Sequence, residues 1–365
     1  MKKFILVGGG IIIVAMLTSS VIAATIDFDL FIINKKSDLI QTHQLISDIF
    51  SNDYPSLKDD AYHYNGEENW IEWWYFTFID EKNDLQLYFI YVILINPLFE
   101  IASTIIGGFD YSESYEIRDY YDKSEFTASY DIPEVYMGND CNFVALNENI
   151  FNVNGKTKNE RISWNLTYTR SSIPYYPNLP TEDLEWLCYL PGAKVTGSII
   201  LNGINYNTSG YGYHDHNWGE KSKHSQWRWA STCNPNDNFS IIFNMVGNNQ
   251  FTGSIVVLLD NETILFENPQ VSYKDFRICF AFSHSIPLLG IYPRVIQISD
   301  NNTEYDVSLN IDVNKNKPIY IGGATHIVNE QVSKFRGVLK GQNITYAFDN
   351  TGFSEYTKFR IRDLF

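Results

Sequence analysis

Two short segments, about 140 residues apart, combine titratable side chains with large aromatic ones. The first is Glu72-Trp73-Trp74-Tyr75-Phe76; the second is Gly212-Tyr213-His214-Asp215-His216-Asn217-Trp218-Gly219. Apolar bulk beside an ionisable group suits a site that acts on a greasy molecule. Burial shifts the group's pKa, and an aromatic face stabilises developing positive charge. Read as a strand, the first segment sends Glu72, Trp74, Phe76 and Phe78 to one face and Trp73, Tyr75, Thr77 and Ile79 to the other. Glu72 is then a carboxylate among indoles. Desolvation would keep it protonated as a general acid; the bland alternative is a strand-end carboxylate paired with an Arg or a backbone amide.

In the second segment His214, His216 and Trp218 share a face opposite Tyr213, Asp215 and Asn217. A His beside a Trp exchanges protons near neutral pH, which suits proton-initiated chemistry on an alkene. The bland alternative is a buried, hydrogen-bonded His. His214-x-His216 also has metal-ligand spacing, but only His224 stands nearby as a third ligand, so no metal is expected. Trp227-Arg228-Trp229 follows, with both indoles on one face, packing the core or stacking on a ligand. Arg228 is expected to pair with Asp215 or Glu72. The expected catalytic residues are thus His216, Trp218, Glu72 and Asp215. The expected substrate-binding residues are Trp73, Trp74, Tyr75, Tyr213, His214, Trp227 and Trp229. No Gly-x-Ser-x-Gly elbow is present, and an exported thiol would be oxidised, so Ser and Cys nucleophiles are not expected.

The chain that positions these residues has 365 residues, enough for two domains of ordinary size. Aromatic residues make up 16%, led by Tyr and Phe, which favour strands. A net charge of −16 argues against a nucleic-acid partner, because phosphate contacts need clustered Lys and Arg. Met1-Lys2-Lys3 followed by uncharged Phe4 to Ala24 reads as a cleaved signal peptide or a retained membrane anchor, with the remainder outside the cytoplasm. Asn165, Asn207, Asn238, Asn261, Asn301 and Asn343 open glycosylation sequons. In an oxidising compartment Cys141, Cys188, Cys233 and Cys279 would be able to form two disulfides.

Residues 25–60 read as a polar connector with a short helix through Leu39, Ile46 and Phe50. Beyond it the pattern is β. Strands are expected at Trp70 to Asp80, Leu85 to Ile95, Glu125 to Tyr130, Asn142 to Leu146, Ile162 to Tyr168 and Lys194 to Leu201. Turns are expected at Glu81 to Asp84, Asn154-Gly155, Asn202-Gly203 and Asn207 to Gly210. A second series runs from Trp227 to Leu339, with a boundary around Glu220 to Ser225. The expected organisation is residues 1–24 as signal or anchor, 25–60 as connector, and two antiparallel β units at 61–224 and 225–365. Each unit is the right size for a small barrel enclosing one ligand.

These motifs resemble the carotenoid 1,2-hydratases (hydroxyneurosporene synthases) and AttH-like proteins. Glu72-Trp73-Trp74-Tyr75 is similar to that family's E-W-W-Y signature, and Asp215-His216-Asn217-Trp218-Gly219 to its D-H-x-W-G signature. The resemblance implies an all-β fold of two lipocalin-like antiparallel barrel domains packed side by side, behind the N-terminal signal or anchor helix. It implies a hydrophobic isoprenoid or polyene substrate and acid chemistry without a redox cofactor or metal. His216 and Trp218 match positions implicated in hydration. Where hydratases carry a Tyr/Asp pair downstream, this chain reads Ile242-Phe243-Asn244. The functional expectation is an exported or membrane-anchored hydratase or cyclase. The alternatives are a non-catalytic lipid or isoprenoid carrier and, more distantly, a glycan-binding protein with aromatics on an open face.

Overall fold

The computed structural model describes residues 5–7, 10–12, 54–110, 114–176, 184–220, 226–247, 250–260, 262–283, 286–320 and 326–359. Residues 1–53 form a unit of their own, in which β1 (Ile5–Val7) and β2 (Gly10–Ile12) pair as an antiparallel hairpin. The remainder of the expected signal or anchor helix, and the connector helix, lie outside the described residues. No described helix is long and apolar enough to cross a membrane.

Residues 54–365 form one compact unit built from two antiparallel sheets. The first holds β3 (Trp70–Asp80), β4 (Leu85–Asn96), β5 (Phe99–Phe109), β6 (Ser114–Tyr121), β7 (Phe126–Ala128), β8 (Glu134–Met137), β9 (Cys141–Asn147), β10 (Ile150–Lys156), β11 (Ile162–Arg170), β12 (Leu184–Leu201) and β13 (Ile204–Glu220). The second holds β14 (Gln226–Asn234), β15 (Phe239–Gly247), β16 (Phe251–Leu259), β17 (Glu262–Phe266), β18 (Gln270–Ser283), β19 (Ile286–Asn301), β20 (Tyr305–Tyr320), β21 (His326–Gly341) and β22 (Thr345–Phe359). Both sheets are meanders in which the first strand pairs with the last: β3 with β13 and β14 with β22. In the first sheet β5 also lies against β8, so the sheet curls into a nearly closed barrel. This is the expected all-β, lipocalin-like architecture.

β3 follows from its alternation. Trp74, Phe76 and Phe78 enter the core of the first sheet, whereas Tyr75 and Ile79 enter the apolar seam between the two sheets. Both faces are therefore buried. The first core is filled with Trp74, Phe76, Phe78, Phe89, Phe143 and Phe151, all fully buried. Each such Phe contributes about 1.5–3 kcal/mol of burial. The ligand-enclosing interior expected from barrel size is occupied by the protein's own rings.

The Asn202-Gly203 turn forms as expected, with both residues at positive φ (52° and 80°), which matches the twist of a two-residue hairpin. Two other expected turns are instead strand interior. Asn154-Gly155 lies in β10, where Gly155 faces Trp164; a Cβ there would stand 2.6 Å from the indole and 2.9 Å from Cys141 Sγ. Asn207 to Gly210 lies in β13, where a Cβ on Gly210 would stand 1.9 Å from the Ile79 carbonyl. These glycines serve close packing rather than chain reversal. The possible disulfides are also absent: all four cysteines are free and buried. Burial pushes the thiols of Cys141 and Cys279 up to about 11 and that of Cys233 to about 12.

Gly155→Ala should lower stability by about 1–3 kcal/mol through overpacking. The effect would appear as a lower urea midpoint at unchanged slope. An unchanged midpoint would mean that Trp164 moves aside freely.

Candidate active site

The β3–β13 register sets Trp74 opposite His216 and Tyr75 opposite Asp215. Alternation then splits the expected site residues between two places.

The barrel side is a histidine–carboxylate network. A 3₁₀ turn at Leu57–Asp60 brings Asp60 under β13. Asp60 Oδ2 lies 3.0 Å from His214 Nε2, and Asp60 Oδ1 lies 3.4 Å from His216 Nδ1. The other His216 nitrogen, Nε2, is 2.9 Å from Glu72 Oε1. Glu72 also accepts the His63 backbone N–H at 2.9 Å and the Trp70 indole N–H at 2.9 Å, and its Oε1 is 3.5 Å from His63 Nδ1. Each imidazole lies on an aromatic face: His63 on Trp218 (centroids 3.9 Å apart), His216 on Trp74 (4.6 Å) and His214 on Phe76 (3.9 Å).

Glu72 is therefore not the protonated acid expected from its indole neighbours. Burial would raise its pKa, but hydrogen bonds from His216, His63 and Trp70 hold it below its ordinary value. Asp60 is also lowered: burial is outweighed by His214 and His216. Burial would lower His216, yet Asp60 and Glu72 raise it. Trp74 and Trp218 flank this histidine. His63 Nδ1, Glu72 Oε1 and His216 Nε2 gather within 4.8 Å of one another, a donor set of metal-ligand type.

The seam side holds acids of the opposite character. Tyr75 Oη donates to Glu330 Oε2 at 3.1 Å. Glu330 stands directly opposite Glu355 across β21 and β22, and the two carboxyls share a hydrogen bond. Trp227 Nε1 donates to Glu355. Burial, then the charge of Glu355, pushes Glu330 well above the ordinary Glu value; burial also raises Glu355. Asp215 accepts from Tyr213 Oη and Trp186 Nε1, each at 2.8 Å, and from Asn217 Nδ2 at 3.1 Å. Burial outweighs these donors and lifts it to about 7. Trp229 packs edge-on to Tyr75 (5.6 Å) and against Tyr213 (5.0 Å). Its indole nitrogen and the Tyr88 hydroxyl are buried here without a hydrogen-bond partner, the kind of unmet capacity that a ligand or water fills.

Among the expected residues, Glu72, Trp74, His214, His216 and Trp218 thus belong to the network. Tyr75, Tyr213, Asp215, Trp227 and Trp229 belong to the seam, and Trp73 packs beside it. Arg228 pairs with neither Asp215 nor Glu72. Its guanidinium lies over the Tyr356 ring (3.8 Å) and donates to the Thr357 carbonyl, because β14 pairs with β22 at that register. Sequence reasoning missed Asp60 and His63, assigned to a connector or its edge. It also missed Glu330 and Glu355. The signal for Glu330 is Val328-x-Glu330-x-Val332, one carboxyl on an otherwise apolar strand face.

No family model matches the sequence, and no curated protein matches it. Solved structures do match. An AttH-like protein from Nitrosomonas europaea aligns at a TM-score of 0.63 and 15% identity, over 85% of this chain and 98% of that one. The fold is that of the AttH-like proteins. Kievitone hydratase from Nectria haematococca aligns at 0.57 and 14% identity, over 79% of this chain and 88% of its own. CghA in complex with Sch210972 aligns at 0.55 and 12% identity, over 80% and 89%. These identities establish shared architecture rather than shared chemistry.

Glu72→Ala strands His216 and the His63 amide inside the barrel. It should cost about 3–5 kcal/mol, as removing one partner of a buried ion pair does. A denaturation midpoint equal to that of the parent protein would contradict the network as drawn.

Proposed function

We propose that this protein is an exported or membrane-anchored hydratase/cyclase-type enzyme that acts on an isoprenoid or other polyene by acid catalysis at the seam. The observation that carries this reading is the buried Glu330–Glu355 pair, hydrogen-bonded to Tyr75 and raised in pKa. Two carboxyls that share a site resist a second negative charge, so the pair holds its last proton well above the ordinary Glu range and serves as the acid. That proton adds to a C=C bond. The Tyr75, Trp227 and Trp229 rings face the resulting cation. Water then attacks the cation and returns a proton to the pair; alternatively, a second double bond attacks it to close a ring, and a carbon next to the new cation returns a proton to the pair. Neither branch changes the net oxidation state of the substrate, so the scheme calls on no redox cofactor.

In this reading Asp215 holds Tyr213 and Trp186 in place, while Glu72, His216 and Trp218 position β3 and β13 from behind. A hydratase of similar fold is in keeping with it. Carotenoid hydration itself remains one member of this substrate class. Export rests on the N-terminal residues and on Asn165, Asn207, Asn238, Asn301 and Asn343, all of which are exposed. If the N-terminal segment is retained, it tethers the protein to a membrane.

The carrier reading is favoured by the unmet Trp229 and Tyr88 donors, which would hold a ligand without changing it. The glycan-binding reading needs indoles on an open face, and none of the eight Trp residues is exposed.

Organic extraction of protein purified from its host envelope should yield a hydrophobic polyene together with its hydrated or cyclised form. Glu330→Gln should lower turnover of that polyene by about 10²–10⁴-fold while retaining binding. A single unaltered lipid would sink the enzyme in favour of the carrier.

The pH dependence has a definite sign. The folded state keeps a proton on the pair that the unfolded chain loses above the ordinary Glu pKa of 4.5. The pair's stabilisation is therefore full below that value and is lost as pH rises through the raised pKa. Activity should fall over the same upper window, and Glu330→Gln should flatten the stability profile there.

A further inference from the structure

We infer that His63, Glu72 and His216 form a binding site for a divalent transition-metal ion of the Zn²⁺ type, independent of the seam chemistry. The ligand-spaced pair in the sequence is His214 and His216, but His214 is not a donor here; Glu72 on β3 and His63 from the segment that precedes β3 join His216 instead. The Glu72 Oε1 to His216 Nε2 and Glu72 Oε1 to His63 Nδ1 separations are 2.9 and 3.5 Å. Ligand bonds of about 2.0–2.1 Å in a tetrahedron give edges of about 3.3–3.4 Å; the two edges to Glu72 are near this, and the third lies within 4.8 Å, so an ion would draw His63 towards His216. His63 Nδ1 is a buried atom whose contact with Glu72 Oε1 is long, at 3.5 Å, which leaves it capacity for an ion.

Each donor is already aimed. Trp70 Nε1 holds Glu72 Oε2 and so turns Oε1, which also accepts the His63 backbone N–H, towards the ion. Asp60 Oδ1 lies 3.4 Å from His216 Nδ1, on the side away from Nε2, where a small tightening would give the carboxylate–histidine–metal arrangement that supports ligand basicity. Stacking on Trp218 fixes the His63 ring with an interplanar angle of 2°. The His63 side chain is 25% exposed while Glu72 and His216 are sealed, so the ion enters past His63 and its fourth position lies there. A bound ion would tie the 54–65 segment to β3 and β13.

The test is calorimetric titration of chelator-treated protein with Zn²⁺, read beside thermal melting and X-ray absorption of the loaded sample. The expected result is one ion per chain in a nitrogen and oxygen environment, with a higher Tm. Asp60→Asn should weaken binding about 10–100-fold, and His63→Ala by more. His224→Ala, which removes the next histidine after His216, should bind as the parent does. The melting curve of metal-free His63→Ala shows whether the variant is folded. The inference is overturned if the parent takes up no more Zn²⁺ than folded His63→Ala, or if His224→Ala loses the ion.

Discussion

The antiparallel pairing of β3 with β13, buried on both faces, is the constraint on which the rest of the structure depends. A strand presents alternate residues to opposite sides, and a slip of one residue would exchange them all. At the register found here, Glu72, Trp74, His214, His216 and Trp218 face the barrel, while Tyr75, Tyr213 and Asp215 face the second sheet. One strand pair thus supplies one wall of a charged network and one wall of a cluster of acids shifted towards protonation, separated by the thickness of a backbone.

The two sides show opposite outcomes of the same cost. Burying a carboxylate is unfavourable unless a charge or several donors compensate. On the barrel side Asp60 and Glu72 meet histidines and stay ionised. On the seam side the hydrogen-bond partners of Asp215, Glu330 and Glu355 are hydroxyl, indole, amide and carboxyl groups, and the acids shift towards their protonated forms. Ion pairing suits a fixed structural joint. A protonated acid beside aromatic rings suits proton donation into a hydrophobic ligand, with the electrostatic environment set before the substrate arrives.

Much of the fold is legible in the sequence because strand period and hydrophobic alternation are local. β3 matches its expected span, and the faces of both motifs are as read. β5, β6 and β22 were not anticipated. Gly107 and Gly108 interrupt the apolar run in β5, and polar residues dominate β6 and β22. Asn-Gly is ambiguous in the same way, since it makes a turn at Asn202-Gly203 but accommodates an indole at Asn154-Gly155. The sites depend on non-local pairing. Glu330 and Glu355 become a pair only through the β21–β22 register, and His63 reaches Glu72 only because the segment before β3 folds over the barrel. Arg228 shows the converse, because its local spacing suggested an acid partner and the β14–β22 register placed it on Tyr356.

The central claim is that the seam carboxyl pair holds a proton at neutral pH. Infrared spectroscopy of the parent protein against Glu330→Gln and Glu355→Gln tests it directly, through the carbonyl stretch of a protonated carboxyl group. The account predicts such a band in the parent at pH 7, its loss or displacement in both variants, and its disappearance only at higher pH. A parent spectrum at pH 7 with no band sensitive to either substitution would mean that both groups are ionised, and the proposed acid would not exist.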